Sequence, residues 1–138
     1  IIHINGYVLI DDAYNASPDS MKASLNILSD YKTRGRKIAV LSDMLELGPD
    51  SPKYHQEVGH FIASKKVTDL FVTGNLSKYY IEEAWKENPA LHTRYFSTNG
   101  ELIDFLETYL KKNDAVLIKG SNGMNLKEVS SVLIRSQD

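Results

Sequence analysis

The sequence predicts an α/β fold in three layers, with helices on both faces of a mainly parallel sheet of about six strands and an antiparallel hairpin strand at the N-terminus. Three observations carry this. Strand-like and helix-like stretches alternate along the chain in about five βα units. The run Lys37-Ile38-Ala39-Val40-Leu41 has an unbroken apolar core, as a parallel strand buried on both faces does. Asn5-Gly6 separates Ile1–Ile4 from Tyr7–Asp11, and that pair suits the positive φ angles of a two-residue hairpin turn.

The elements follow in order. Tyr7-Val8-Leu9-Ile10 is a strand ending in Asp11-Asp12. Ser17 is the expected N-cap of the next helix, with Pro18 at its first position. Met21, Leu25, Leu28 and Tyr31 then recur at helical spacing, and Gly35 closes that helix. A polar loop, 42–50, separates strand 37–41 from Ser51-Pro52, a second cap-then-proline signal. Tyr54, Val58, Phe61 and Ile62 form the face of the helix that follows. Asp69–Thr73 is a strand stopped by Gly74, followed by a helix from about Ser77 to Lys86 and a strand Thr93–Ser97. Asn99 caps a helix carrying Leu102, Ile103, Leu106 and Leu110. The strand Ala115–Ile118 runs into Lys119-Gly120-Ser121, and a last helix carries Leu126, Val129, Val132 and Leu133.

The 138 residues fit one domain, spanning 1–138, and a 42% apolar share is enough for a sizeable core. A net charge of -2 gives no electrostatic argument for nucleic acid or for an anionic membrane. The one basic run, Lys32-Thr33-Arg34-Gly35-Arg36-Lys37, reads as a solvated helix end. No cysteine is present, so disulfides and thiolate chemistry are excluded, in keeping with a reducing cytoplasm. No apolar run is long enough to insert across a bilayer. The chain opens at Ile1, directly into a strand, and is expected to be a domain of a longer protein.

Open α/β sheets bind ligands beyond the carboxyl ends of their strands. That rule selects Asp11–Ser17, Ser42–Gly48, Thr73–Asn75, Ser97–Asn99 and Lys119–Asn125, of which the first, second and fifth are richest in ligand-holding groups. Asp11 and Asp12 suit a ribose or metal contact, or a turn. Tyr14 suits stacking on a base, or packing beside the helix. Asn15 suits phosphate, ribose or loop backbone. Asp43 follows a buried strand, where an uncompensated charge is costly; it suits a cationic amine or a pairing with Lys119. Glu46 reads as a loop contact, and His55 as a hydrogen-bonded structural group. No histidine has a partner at metal-ligand spacing, so no metal site is expected. Lys119-Gly120-Ser121-Asn122-Gly123 joins strand to helix as an anion pocket would, although it matches neither G-x-G-x-x-G nor the P-loop pattern.

Taken together and in order, these segments resemble the C-terminal domain of the Mur ligase family, in its MurF branch. Asp11-Asp12-Ala13-Tyr14-Asn15-Ala16-Ser17-Pro18-Asp19-Ser20-Met21 is similar to the D-D-x-Y-N-A-x-P-x-S-M signature that opens that domain. Val40 to Gly48 resembles V-L-G-D-M-x-E-L-G, with Ser42 in place of the glycine. His55 with Val58-Gly59 resembles H-x-x-V-G, and Lys119-Gly120-Ser121 with Gly123-Met124 resembles K-G-S-x-G-M, with Asn122 where a basic residue is common. The likeness runs from about Tyr7 to Leu133.

The resemblance implies a Rossmann-like three-layer αβα sandwich from a bacterial, cytoplasmic three-domain ligase. Such an enzyme uses ATP and Mg2+ to join D-alanyl-D-alanine to UDP-MurNAc-tripeptide through an acyl phosphate in peptidoglycan precursor synthesis. The N-terminal domain holds the UDP-sugar; the central domain carries the P-loop and most of the metal ligands. By position, Asp12, Tyr14 and Asn15 would lie by ATP, and Asp43, Lys119, Ser121, Asn122 and Asn125 by the dipeptide. His55 and Gly120 would support them, and no catalytic base is assigned. The alternatives are a sister ligase adding a single amino acid, or a phospho-receiver-like signalling domain; against the latter, the strand Asp69–Thr73 ends without an aspartate to accept phosphate.

Overall fold

The computed structural model describes residues 1–136. In chain order the elements are β1 (Ile2–Ile4), β2 (Tyr7–Asp12), α1 (Pro18–Asp30), β3 (Lys37–Leu41), α2 (Ser51–Ala63), β4 (Asp69–Thr73), α3 (Lys78–Glu87), β5 (His92–Phe96), α4 (Asn99–Tyr109), β6 (Ala115–Lys119) and α5 (Lys127–Arg135). They build one sheet in the order β1-β2-β6-β3-β4-β5. Only the β1–β2 pair is antiparallel, and Ile4 faces Tyr7 across a turn in which Asn5 and Gly6 both have positive φ. The expected three-layer αβα sandwich is the observed one.

The apolar runs explain the layers. In β3, Ala39 and Leu41 face the core beneath α1, α2 and α3, while Ile38 and Val40 face the core beneath α4 and α5. In β6, Ala115 and Leu117 point one way and Val116 and Ile118 the other. A strand with side chains in two cores has no polar face to show, so its sequence does not alternate. β6 lies between β2 and β3, and the helices after β2 and β3 pack on the face opposite the one after β6. The crossovers therefore diverge around the carboxyl end of β6, which opens a crevice there.

Ser17 caps α1 as expected, in a reciprocal capping box with Ser20. Several boundaries differ from the sequence reading. α1 ends at Asp30, not at Gly35; a Cβ on Gly35 would sit 2.2 Å from the Asn113 carbonyl oxygen, so this glycine serves close backbone approach rather than helix termination. Ser51 lies inside α2 rather than capping it, because a 3-10 turn, Gly48–Asp50, leads straight into the helix. Thr98, not Asn99, caps α4, its side chain accepting from the Glu101 N–H. In α2 the buried stripe is Ser51, His55, Val58, Gly59 and Ile62, with Tyr54 turned out to solvent. Gly59 lets α3 approach, since a Cβ there would meet the Tyr80 carbonyl oxygen at 2.5 Å.

Candidate functional site

The β2–α1 loop is shaped by what its small residues bury. Ala13 and Ala16 are in the two cores, which leaves Tyr14 and Asn15 between them exposed. Asp12 and Lys119 are register partners on adjacent strands. The Lys119 ammonium donates to Asp12 Oδ2 at 2.6 Å and to the Asn15 carbonyl at 2.9 Å, while Ser24 Oγ donates to the same Asp12 oxygen at 2.6 Å. Burial works to raise the Asp12 pKa, but the hydrogen bonds from Lys119 and Ser24 and the lysine's charge together bring it below the ordinary value. The Lys119 side chain is only 2% exposed. It therefore pairs with Asp12 and not with Asp43, and its charge ties down the loop that presents Tyr14 and Asn15.

The β3–α2 loop is held from three sides. Ser42 Oγ donates to the Thr73 carbonyl at 2.8 Å, and Tyr80 Oη donates to the Ser42 carbonyl at 3.0 Å. Asp43 is 4% exposed, and its Oδ1 accepts from the Leu76 N–H at 3.0 Å and from Ser77 Oγ at 2.8 Å. The charge is thus compensated at the start of α3, without a lysine. His55 is fully buried; its Nδ1–H donates to the Ser51 carbonyl at 2.6 Å and its Nε2 accepts from the Met44 N–H at 3.0 Å. Burial lowers the His55 pKa, partly offset by the Ser51 hydrogen bond and the Asp43 charge, so the ring is neutral and both nitrogens are engaged. Past this clamp Glu46 takes a positive φ of 62° and is exposed.

Ser121 zips this loop to the β6–α5 loop. Its N–H donates to the Asp43 carbonyl at 3.1 Å, and its Oγ accepts from the Leu45 N–H at 2.8 Å. Gly120 has to be a glycine here: a Cβ would meet Ser42 Cβ at 2.9 Å and Leu126 Cδ1 at 3.1 Å. Residues Asn122–Met124 form a 3-10 turn, Asn125 follows at φ 55°, and α5 starts at Lys127. The N-terminus of α5 is thus set apart from Ser121, contrary to an anion pocket built on that helix end. Asn125 is exposed, and its Nδ2 donates to Glu128 at 3.0 Å.

Two cavities open above the strand ends. One, of about 330 Å3, is lined by Tyr14, Asn15, Leu45, Glu46, Ser121 and Asn122, among others. The other, of about 400 Å3, lies over β3, β4 and β5 and is lined by Asp43, Thr73, Asn75, Tyr95, Asn99 and Met124, among others. Leu45 and Gly123 border both, and a Cβ on Gly123 would press to 2.8 Å of Leu45 Cδ1. Tyr14, Asn15, Ser121 and Asn122 are therefore brought together, while Asp43 stands in the neighbouring chamber. Asn75, Tyr95 and Asn99 are lining residues that motif reading passed over; their segments sit at strand carboxyl ends, which was the available signal. A larger cavity, of about 570 Å3, lies among Ser29, Lys32, Lys37 and Thr68 at the opposite end of the sheet, beside the basic run and away from the segments at the strand carboxyl ends. Among the described residues no group of three or more His, Asp or Glu is placed to hold a metal ion.

Comparison with known proteins places this geometry. Residues 1–122 match the family model described as the Mur ligase, glutamate ligase domain. A UDP-N-acetylmuramoyl-tripeptide–D-alanyl-D-alanine ligase of Bacillus subtilis (strain 168) is 36% identical over 132 residues, covering 96% of this chain and 29% of that protein. The ligase of the same description from Rickettsia prowazekii (strain Madrid E) is 32% identical over 129 residues, covering 94% of this chain and 28% of that protein. A crystal structure of MurF from Acinetobacter baumannii superimposes with a TM-score of 0.82 at 26% identity, over 98% of this chain and 30% of that one. The chain thus spans under a third of the length of these relatives. Motifs, fold and family match agree, and the chain belongs to the Mur ligase family, as its glutamate ligase domain.

Proposed function

We propose that this domain forms the amine-side half of the active site of an ATP-dependent ligase that joins D-alanyl-D-alanine to UDP-MurNAc-tripeptide in the bacterial cytoplasm. The observation that carries the reading is the Asp43 carboxylate, fixed through Oδ1 at the start of α3 while lining the 400 Å3 chamber. Among the described residues Oδ2 has no hydrogen-bond partner, so it is available to an ammonium. The five connections at the strand carboxyl ends contain three acids, Asp43, Glu46 and Asp50, and no lysine or arginine. An end of that polarity suits an incoming amine. The neutral donor of Asn75 suits the dipeptide's carboxylate, while Asn99 Nδ2 donates to the Met124 carbonyl at 3.0 Å and holds the chamber wall.

The adjoining chamber suits the nucleotide, with Tyr14 for stacking and Asn15, Ser121 and Asn122 for polar contacts. No lysine or arginine lines this chamber to meet the charge on ATP phosphates and on the acyl phosphate, and Lys119 is bonded to Asp12. That charge falls to the central domain of the parent protein, together with Mg2+, for which the described residues of this domain group no ligand set. What this domain supplies is the placing of the amine, whose entropic worth in bringing reactants together is large. The wall of Leu45 and Gly123 between the chambers sets the approach.

Phosphate release by the full-length parent, given ATP and UDP-MurNAc-tripeptide, tests the reading. Release that depends on D-alanyl-D-alanine supports it. Release that depends on a single amino acid instead moves the parent to a sister ligase, and no release with any amine overturns it.

A further inference from the structure

The net charge of -2 conceals a polarised molecule. The five connections at the amino-terminal ends of the strands (5–6, 31–36, 64–68, 88–91 and 110–114) carry seven lysines and arginines against one acid, Asp114. Arg36 is used within the fold, paired with Asp114 at 2.7 Å, and Lys65 lies over the Phe61 ring. Lys32, Arg34, Lys66, Lys111 and Lys112 are exposed and form no ion pair among the described residues. The other acids at this end are Asp30, which is exposed, Asp69, which is buried, Glu87, which pairs with His60, and Glu107, which lines a cavity with Lys111.

Helix dipoles favour cations within a helix's last turn, where the effect is confined. α1 and α4 have none there, and the five free cations lie beyond the helix ends. They follow α1 and α2 on one face of the sheet and α4 on the other; Lys32 and Lys66 line the 570 Å3 cavity, Arg34 borders a second and Lys111 a third, so they spread over the whole end of the domain rather than converge on one groove. None of the large exposed hydrophobic side chains lies in these connections, and Ile27 and Trp85 stand singly in the last turns of α1 and α3 rather than among the cations. That omission disfavours a protein interface, which centres on aromatic hot spots and is poor in lysine, and a single-stranded nucleic acid, which needs stacking platforms.

We propose that this end of the domain rests on an anionic lipid surface, held by point charges without insertion, with the strand carboxyl ends and their cavities turned away from it. The acidic opposite end does not cancel the attraction, because it lies more than a Debye length, about 8–10 Å, from the surface. This stands independently of the ligase reading.

Co-sedimentation of the chain with vesicles tests it, using phosphatidylcholine alone or mixed in equal parts with phosphatidylglycerol. Binding to the mixed vesicles alone, falling as salt rises, is expected. Lys32→Gln, Lys66→Gln and Lys111→Gln should each lower partitioning about fivefold, while Lys53→Gln and Lys127→Gln, at helix N-termini of the other end, leave it unchanged with the same thermal unfolding. Equal binding to neutral vesicles, no binding to either, or lysine-dependent binding of duplex DNA without binding to phosphatidylglycerol overturns it.

Discussion

Lys119 and Asp43 show how one residue's partners decide what it can do. Sequence position gave both to the dipeptide, but the 2.6 Å bond to Asp12 takes Lys119 into the scaffold. Lys119→Met should therefore cost stability, about 2 kcal/mol for a lost charge-assisted bond network, visible as a lower denaturation midpoint, and should loosen Tyr14 and Asn15. Unchanged stability would return the lysine to ligand binding. Asp43→Asn keeps an oxygen for Leu76 and Ser77 but removes the charge facing the chamber. In the parent enzyme it should raise the dipeptide KM about tenfold, the worth of one charged contact, with folding intact. An unmoved KM would remove Asp43 from the amine's site. The choice of these residue types was legible in the sequence because a charge after a buried strand demands a partner. The identity of the partner was not, since Asp12 and Ser77 are each many residues away and only strand register and the turn into α3 decide between them.

At the scale of elements, the two site loops behave as one unit. His55 on α2 clamps Met44, Ser121 bonds to both Leu45 and Asp43, and Tyr80 on α3 braces Ser42. The clamp works only with a neutral ring, because Nε2 must accept from an N–H. Burial lowers the folded-state pKa of His55 below the ordinary 6.5, so the unfolded chain takes up the proton first as pH falls. Its contribution to stability is present above pH 6.5 and declines below it, toward the lower folded-state value. Wild-type denaturation midpoints should fall more steeply than those of His55→Gln over that range; parallel slopes would show that the ring is not held neutral. His55→Leu should cost about 1–3 kcal/mol at neutral pH by leaving the Met44 N–H unpaired. The helices and strands were legible from apolar spacing, because periodicity reports burial. The boundaries at Gly35, Ser51 and Asn99 were not, because a glycine or a cap residue also serves close packing and tight turns, and sequence does not distinguish those uses.

At the scale of the molecule, two cores on either side of the sheet are each closed by their own helices: α1, α2 and α3 on one face, α4 and α5 on the other. Nothing in that arrangement needs a neighbouring domain to complete a core, and no buried side-chain polar atom among the described residues lacks a hydrogen-bond partner. The chain should therefore unfold cooperatively by itself, with coincident near- and far-ultraviolet circular dichroism transitions on heating. The cavities differ from the cores in this respect. They open at one end, they hold acids without free cations, and the sequence contains no G-x-x-x-x-G-K-[ST] loop to hold a triphosphate. An autonomous fold with half a site should show no phosphate release from ATP with UDP-MurNAc-tripeptide and D-alanyl-D-alanine present, and only weak binding of either ATP or dipeptide by calorimetry. Turnover by residues 1–138 alone would mean that the phosphate charge is met within this domain, and the division of labour between an amine side here and a phosphate side in the central domain would have to be abandoned.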